Sequence, residues 1–324
     1  MRAVVQSEAG GTDTLRIDTV DTPEPSPTEV QIKVAAAGLN RADIMQRQGF
    51  YPPPPGTSDI LGMEVSGTIS KLGSDVESWA LGDEVCALLP GGGYAEYVTV
   101  DAGLVMPLPA GVDLITAASL PEVSCTVFSN LYMTADLQFD ELVLIHGGTS
   151  GIGSHAIQVA KSHGSRVATT ARTADKLEFC RELGADILIN YAEEDFAETL
   201  APHGADVILD IIGAKYLSRN VSTLAVGGRL VIIGMQGGTK GELNIAELLT
   251  KRASVAATNL RGRPLPGPDG KREIVSATVD FTWPKIGNGD IRPIVDRTFD
   301  ITEVAAAHDY LDSGQAIGKV LLTL

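Results

Sequence analysis

The most constraining stretch of this chain is a glycine-rich turn set between an apolar run and a helical pattern. Leu142-Val-Leu-Ile145 leads into His146-Gly-Gly-Thr-Ser-Gly-Ile-Gly153, and apolar residues at helical spacing follow from Ser154. Strand, glycine turn and helix in that order present free backbone N–H groups and the positive helix end to a phosphate. Gly148, Gly151 and Gly153 read G-x-x-G-x-G, and the Gly-Lys-Ser/Thr ending of a triphosphate-binding loop is absent. The turn, including Ser150 and Ile152, is therefore expected to cradle the pyrophosphate of a dinucleotide. A glycine-rich βα turn with no ligand is the alternative.

The rhythm around this turn implies an α/β fold with a doubly wound parallel sheet. Strands are predicted at 142–146, 166–170, 187–191, 207–211 and 229–234. Helices are predicted at 154–163, 174–184, 194–201 and 215–226. The stretch before about residue 120 reads instead as short strands and turns, with strands near 30–34, 65–69, 82–85 and 94–98, and prolines at 23, 25, 27 and 52–55 marking loops. A Pro/Gly-rich loop at 261–270 precedes a final helix and strand. The expected organisation is a cofactor domain at 121–259, inserted between residues 1–120 and 260–324 of a mostly β substrate domain.

Charge sharpens the ligand. The chain carries 25 Lys+Arg against 41 Asp+Glu, a net charge of −16, which disfavours nucleic acid and anionic membrane surfaces as partners. Yet residues 142–176 hold Lys161, Arg166, Arg172 and Lys176 against Asp175 alone, a local +3. No carboxylate stands at the strand end about 20 residues after the turn, where an NAD site would hold the ribose hydroxyls. Arg172 and Lys176 could neutralise a 2′-phosphate, so NADPH is the expected cofactor; two solvated helix-start cations are the alternative.

Three widely spaced cysteines, Cys86, Cys125 and Cys180, support neither a disulfide framework nor a Cys-rich zinc site, and suggest a reducing cytoplasm. The N-terminus lacks a signal-peptide core, and no run of ~18 apolar residues appears, so neither secretion nor membrane spanning is expected. The five histidines show no metal-ligand spacing and are read as structural or surface groups.

Taken together, Gly38-Leu-Asn-Arg-Ala-Asp43, Gln48-Gly-Phe-Tyr-Pro52, Leu61-Gly-Met-Glu-Val-Ser-Gly67, the glycine turn and Ile317-Gly-Lys-Val320 resemble the medium-chain dehydrogenase/reductase superfamily over essentially the whole chain. The resemblance is to its zinc-free, zeta-crystallin-like quinone oxidoreductase branch, and Asn40–Gln48 is similar to the p53-inducible type. It implies a GroES-like substrate domain beside a Rossmann domain. The turn alone also resembles short-chain dehydrogenases, but no Tyr here is followed four positions later by Lys.

Zinc-dependent members of the superfamily hold their metal with a Cys near position 40 and a Gly-His-Glu segment. This chain has Asn40 and Gly62-Met63-Glu64, so no metal is expected. The resemblance then implies hydride transfer from NADPH to a quinone or enone, with hydrogen bonds stabilising the developing oxyanion. Tyr51, on a segment the family places at its substrate cleft, is the first candidate donor, or else a loop tyrosine packed on prolines. Asn40 could hold the acceptor oxygen or the nicotinamide ribose, or serve as a turn residue. The resemblance also places Tyr191 beside the 2′-phosphate and Gly234 with Met235 beside the nicotinamide, and adds Thr126, Leu260 and Lys319 as cofactor contacts. Thr126 could equally be a core helix residue. An NADPH-dependent quinone reductase is the leading reading, with an enone or 2-enoyl reductase and a crystallin-like NADPH-binding protein of little turnover as alternatives. A homodimer is expected by analogy.

Overall fold

Short strands and irregular turns form the N-terminal stretch in the computed structural model, which describes residues 1–324. β1 (Arg2–Gln6) and β2 (Leu15–Thr19) make an antiparallel pair, and the longer β3 (Glu29–Gly38) leads into the short helix α1 (Arg41–Arg47). β4 (Glu64–Leu72), β5 (Glu84–Leu88), β6 (Tyr97–Asp101) and β7 (Val105–Pro107) follow, then helices α2 (Leu114–Ala117) and α3 (Pro121–Phe128). β6 begins three residues later than the sequence pattern predicts. The Tyr94 N–H donates to Leu61 O at 2.9 Å and its carbonyl accepts from Val4 N at 2.9 Å, so its backbone is satisfied elsewhere before pairing with β3 starts at Tyr97.

The central stretch alternates strand and helix. It runs β8 (Leu142–His146), α4 (Gly151–Ser162), β9 (Arg166–Ala171), α5 (Ala174–Glu182), β10 (Ile187–Asn190), α6 (Phe196–Leu200), β11 (Ala205–Asp210), α7 (Leu217–Thr223), β12 (Leu224–Ile232), α8 (Ile245–Lys251) and β13 (Ser254–Ala257). The six strands are parallel, in the order β10-β9-β8-β11-β12-β13, so the strand order reverses between β8 and β11. Every residue of β8 is buried, as a strand covered on both faces must be. Leu142, Leu144, Phe196, Leu200, Ile208 and Leu230 belong to the core on one side of this sheet.

Two predicted boundaries move for identifiable reasons. Helix α4 starts at Gly151, not Ser154, because the Ser150 hydroxyl caps it by accepting from Gly153 N at 3.0 Å. Helix α7 stops at Thr223, not Val226, because Leu224 turns extended and is drawn into the same core as Leu200 and Val221.

The chain closes with α9 (Lys271–Gly287), β14 (Val295–Asp300), α10 (Val304–Asp312) and β15 (Lys319–Thr323). β15 pairs with β3, giving a sheet in the order β14-β15-β3-β4-β5-β7, with β6 on β3 as well. Two compact units result: Met1–Cys125 with Arg261–Gly289 and Pro293–Leu324, and Thr126–Leu260 with Asp290–Arg292. The first change of unit thus falls inside α3, past residue 120. Residues 290–292 join the second unit, where the Gln158 amide accepts from Arg292 N at 2.9 Å and donates to its carbonyl at 3.1 Å. No helix is long and apolar enough to cross a membrane.

Candidate active site

In the second unit the glycine turn lies at the carboxyl end of β8, beside the point where the strand order reverses, the position at which open α/β sheets bind ligands. Its glycines are required sterically. A Cβ on Gly148 would lie 2.2 Å from Thr169 Oγ1 and 2.7 Å from Cys180 Sγ, and one on Gly153 would lie 2.2 Å from Gly147 O. With Ser150 capping Gly153, the N–H groups of Gly151 and Ile152 open the helix with no preceding turn to donate to. The turn is thus a cradle of backbone donors suited to a pyrophosphate.

Behind the turn sits His146, whose buried ring the sequence reading left without a partner. Its Nε2 lies 2.8 Å from Asn220 Oδ1, and its Nδ1 lies 3.2 Å from Thr170 Oγ1, which also accepts from Gly147 N at 3.2 Å. Burial drives its pKa down to about 4, so the ring is neutral at pH 7, with its proton on Nε2 for the amide oxygen. The ring therefore buttresses the first residue of the turn. Asp210, at the end of β11, is another group not foreseen. Its carboxylate accepts from Ile212 N at 2.7 Å and Gly213 N at 3.0 Å, while burial raises its pKa to about 6.

At the neighbouring strand ends, Arg172 follows β9, is exposed and makes no ion pair. Tyr191 follows β10, is 41% exposed, and donates its N–H to Ala171 O at 3.1 Å, which places it beside the end of β9. Lys176 lies in the first turn of α5, whose cap is the Thr173 hydroxyl. These three residues are brought to one end of the sheet. Gly234 and the 41%-exposed Met235 follow β12 at that same end, whereas Thr126 and Leu260 are largely buried.

In the first unit a buried polar cluster surrounds Asn40. The Asn40 amide donates to Glu64 Oε1 at 2.9 Å and accepts from Lys319 Nζ at 2.7 Å. Lys319 also donates to Leu39 O at 2.7 Å and pairs with Glu64 Oε1 at 2.5 Å, so its three ammonium hydrogens are all engaged within this unit. The second oxygen of Glu64 accepts from Glu122 N at 2.9 Å. Asp43 accepts from Asn40 N, Gly62 N and the Tyr94 hydroxyl, and burial raises its pKa to about 6. Nowhere in the chain do three His, Cys, Asp or Glu side chains come together as metal ligands. The surroundings of Glu64 do not fit zinc, because its carboxylate is committed to an ammonium, an amide and a backbone N–H.

Tyr51 lies on the loop after α1, and its ring centroid is 5.3 Å from the Arg261 guanidinium carbon. Arg261 is 7% exposed, and its Nε donates to Pro90 O at 2.6 Å. Sequence reasoning treated its surroundings as a Pro/Gly-rich loop and missed it.

Residues 26–110 match the family model described as the alcohol dehydrogenase GroES-like domain, and residues 151–269 match that described as zinc-binding dehydrogenase. The quinone oxidoreductase of Lama guanicoe is 30% identical over 331 residues, covering 100% of this chain and 98% of the relative. Among solved structures, the Escherichia coli quinone oxidoreductase complexed with NADPH is 28% identical, with a TM-score of 0.90 and complete coverage of both chains. The CurK enoyl reductase is also 28% identical, with a TM-score of 0.86 and coverage of 99% of this chain and 98% of that one. The chain belongs to the medium-chain dehydrogenase/reductase superfamily, as a relative of its quinone oxidoreductases.

Proposed function

We propose that this protein is an NADPH-dependent, zinc-independent oxidoreductase that reduces quinones. The observation that carries the reading is the capped glycine turn, set beside the exposed Arg172 and Tyr191 with no carboxylate at the end of β9. Gly148, Ser150, Gly151, Ile152 and Gly153 hold the pyrophosphate, and Arg172, Lys176 and Tyr191 hold the 2′-phosphate. NADPH, when bound, supplies the hydride. Gly234 and Met235 flank the nicotinamide, with Thr126 and Leu260 as further contacts.

Tyr51 donates its phenolic proton to the oxygen of the acceptor, because a phenol is protonated at neutral pH. Asn40 is held in place for a second hydrogen bond by Glu64 and Lys319. The role assigned to Lys319 is this positioning, since its donors are already committed. Zinc independence is supported by the same commitment of the Glu64 carboxylate.

The likeness to an enoyl reductase favours a second reading, in which the acceptor is an enone or 2-enoyl thioester. Rates of NADPH and NADH oxidation against ortho- and para-quinones, enals and enones separate the readings. Quinone reduction with NADPH is expected; tight NADPH binding without turnover would support a crystallin-like role instead. A homodimer is proposed through the second unit, where Val226, Ile245 and Leu249 expose apolar side chains, and light scattering tests it. Three free, buried cysteines suit a cytoplasmic setting, which cell fractionation tests.

A further inference from the structure

Arg261 and Arg47 are the two buried arginines of the first unit with unpartnered side-chain nitrogens, and of the two Arg261 is the one whose Nη1–Nη2 fork is left open. Its side chain is buried, yet Nη1 and Nη2 have no hydrogen-bond partner, and no carboxylate forms an ion pair with it. Burial lowers its pKa, while Tyr51, Asp43 and Glu122 favour its charge only from a distance. Lys271, also buried, donates to Arg261 O at 3.2 Å and adds a second cation. Burial first, and then the charge of Arg261, push the Lys271 pKa down. Two buried cations without an anion are costly in a chain of net charge −16.

Backbone closes on the guanidinium through Pro90 and Gly91, and a Cβ on Gly91 would stand 3.3 Å from Nη2. The Tyr51 ring supplies a flat apolar face against the same guanidinium. A fork of parallel N–H donors matches the two oxygens of a carboxylate, whereas an ammonium would offer only a point charge.

We propose that Arg261, supported by Lys271, is an anion anchor, and that this enzyme takes planar acceptors carrying a carboxylate, which binds the Arg261 fork beside Tyr51. The substrate class rests on the function proposed above; the anion site does not. A desolvated, bidentate contact of this kind is worth about tenfold or more in affinity over a neutral isostere.

The test is calorimetric titration of the full chain with 2-naphthoate and with 2-naphthamide, its neutral isostere. Naphthoate is expected to bind at least about tenfold tighter, Arg261→Gln to make the two equal, and Arg261→Lys to retain part of the preference. NADPH binding measured on each variant reports that the second unit is intact. Equal affinities in the wild type, or a preference that survives Arg261→Gln, would overturn the proposal. An Arg261-dependent preference in a protein that reduces no quinone or enone would overturn the proposed reaction and leave the anion anchor standing.

Discussion

The ammonium of Lys319, in the last strand, lies 2.5 Å from Glu64 Oε1, at the start of β4, and both side chains are buried. The pair ties the C-terminal strand to the interior of the N-terminal sheet and fixes Asn40 between its members.

Removing one partner should therefore be far worse than removing both. Lys319→Met strands a buried carboxylate, at a cost of about 3 kcal/mol or more, and should lower the melting temperature by roughly 5 to 10 °C. Lys319→Met with Glu64→Leu should recover most of that loss. A double variant no more stable than the single one would show that packing, not charge, sets the cost.

Gly148→Ala forces a methyl into Thr169 Oγ1 and Cys180 Sγ. The turn must shift, and NADPH affinity should fall by about tenfold or more, read from quenching of tryptophan or NADPH fluorescence. Unchanged affinity would separate the turn from the cofactor.

Arg172→Ala with Lys176→Ala removes the charges assigned to the 2′-phosphate. Charged hydrogen bonds of about 1.5–3 kcal/mol predict a KM for NADPH raised about 10- to 100-fold, with the KM for NADH little changed. Equal effects on both cofactors would place these residues elsewhere in the site.

Asp210 carries a pH signature. Its native pKa of about 6 stands above the ordinary carboxylate value of 3.8, so the folded protein holds the proton more tightly than the unfolded chain. Its contribution is favourable below about pH 3.8 and is lost as pH rises through about 6. Relative to wild type, Asp210→Asn should thus gain on the order of 3 kcal/mol of stability between pH 4 and pH 7. A difference flat with pH would show that Asp210 titrates normally.

Tyr51→Phe keeps the ring against Arg261 and deletes only the hydroxyl. The kcat for quinone reduction should fall by about 10² or more while NADPH affinity holds. An unchanged kcat for every accepted substrate would remove the hydroxyl from the chemistry.

The sheet was legible because its signals are local. Leu142–Ile145, the glycines after it and the apolar spacing from Ser154 are contiguous, and their periodicity reports burial directly. Boundaries shifted where a single contact decides them, as with the Ser150 cap and Leu224 in the core. Tyr94 shows the same limit, since its backbone partners Val4 and Leu61 lie far away along the chain.

By itself the sequence determined an α/β unit with a glycine turn between strand and helix, a mostly β unit around it in sequence, and the lack of a thiolate or imidazole where zinc-dependent relatives have them. Only the tertiary structure decided what replaces those ligands, joining Asn40, Glu64 and Lys319, and left Arg261 buried without an anion beside Tyr51. The reason is physical: periodicity and turn chemistry act over a few residues, whereas the desolvation and pairing of a charge depend on which distant segments close around it.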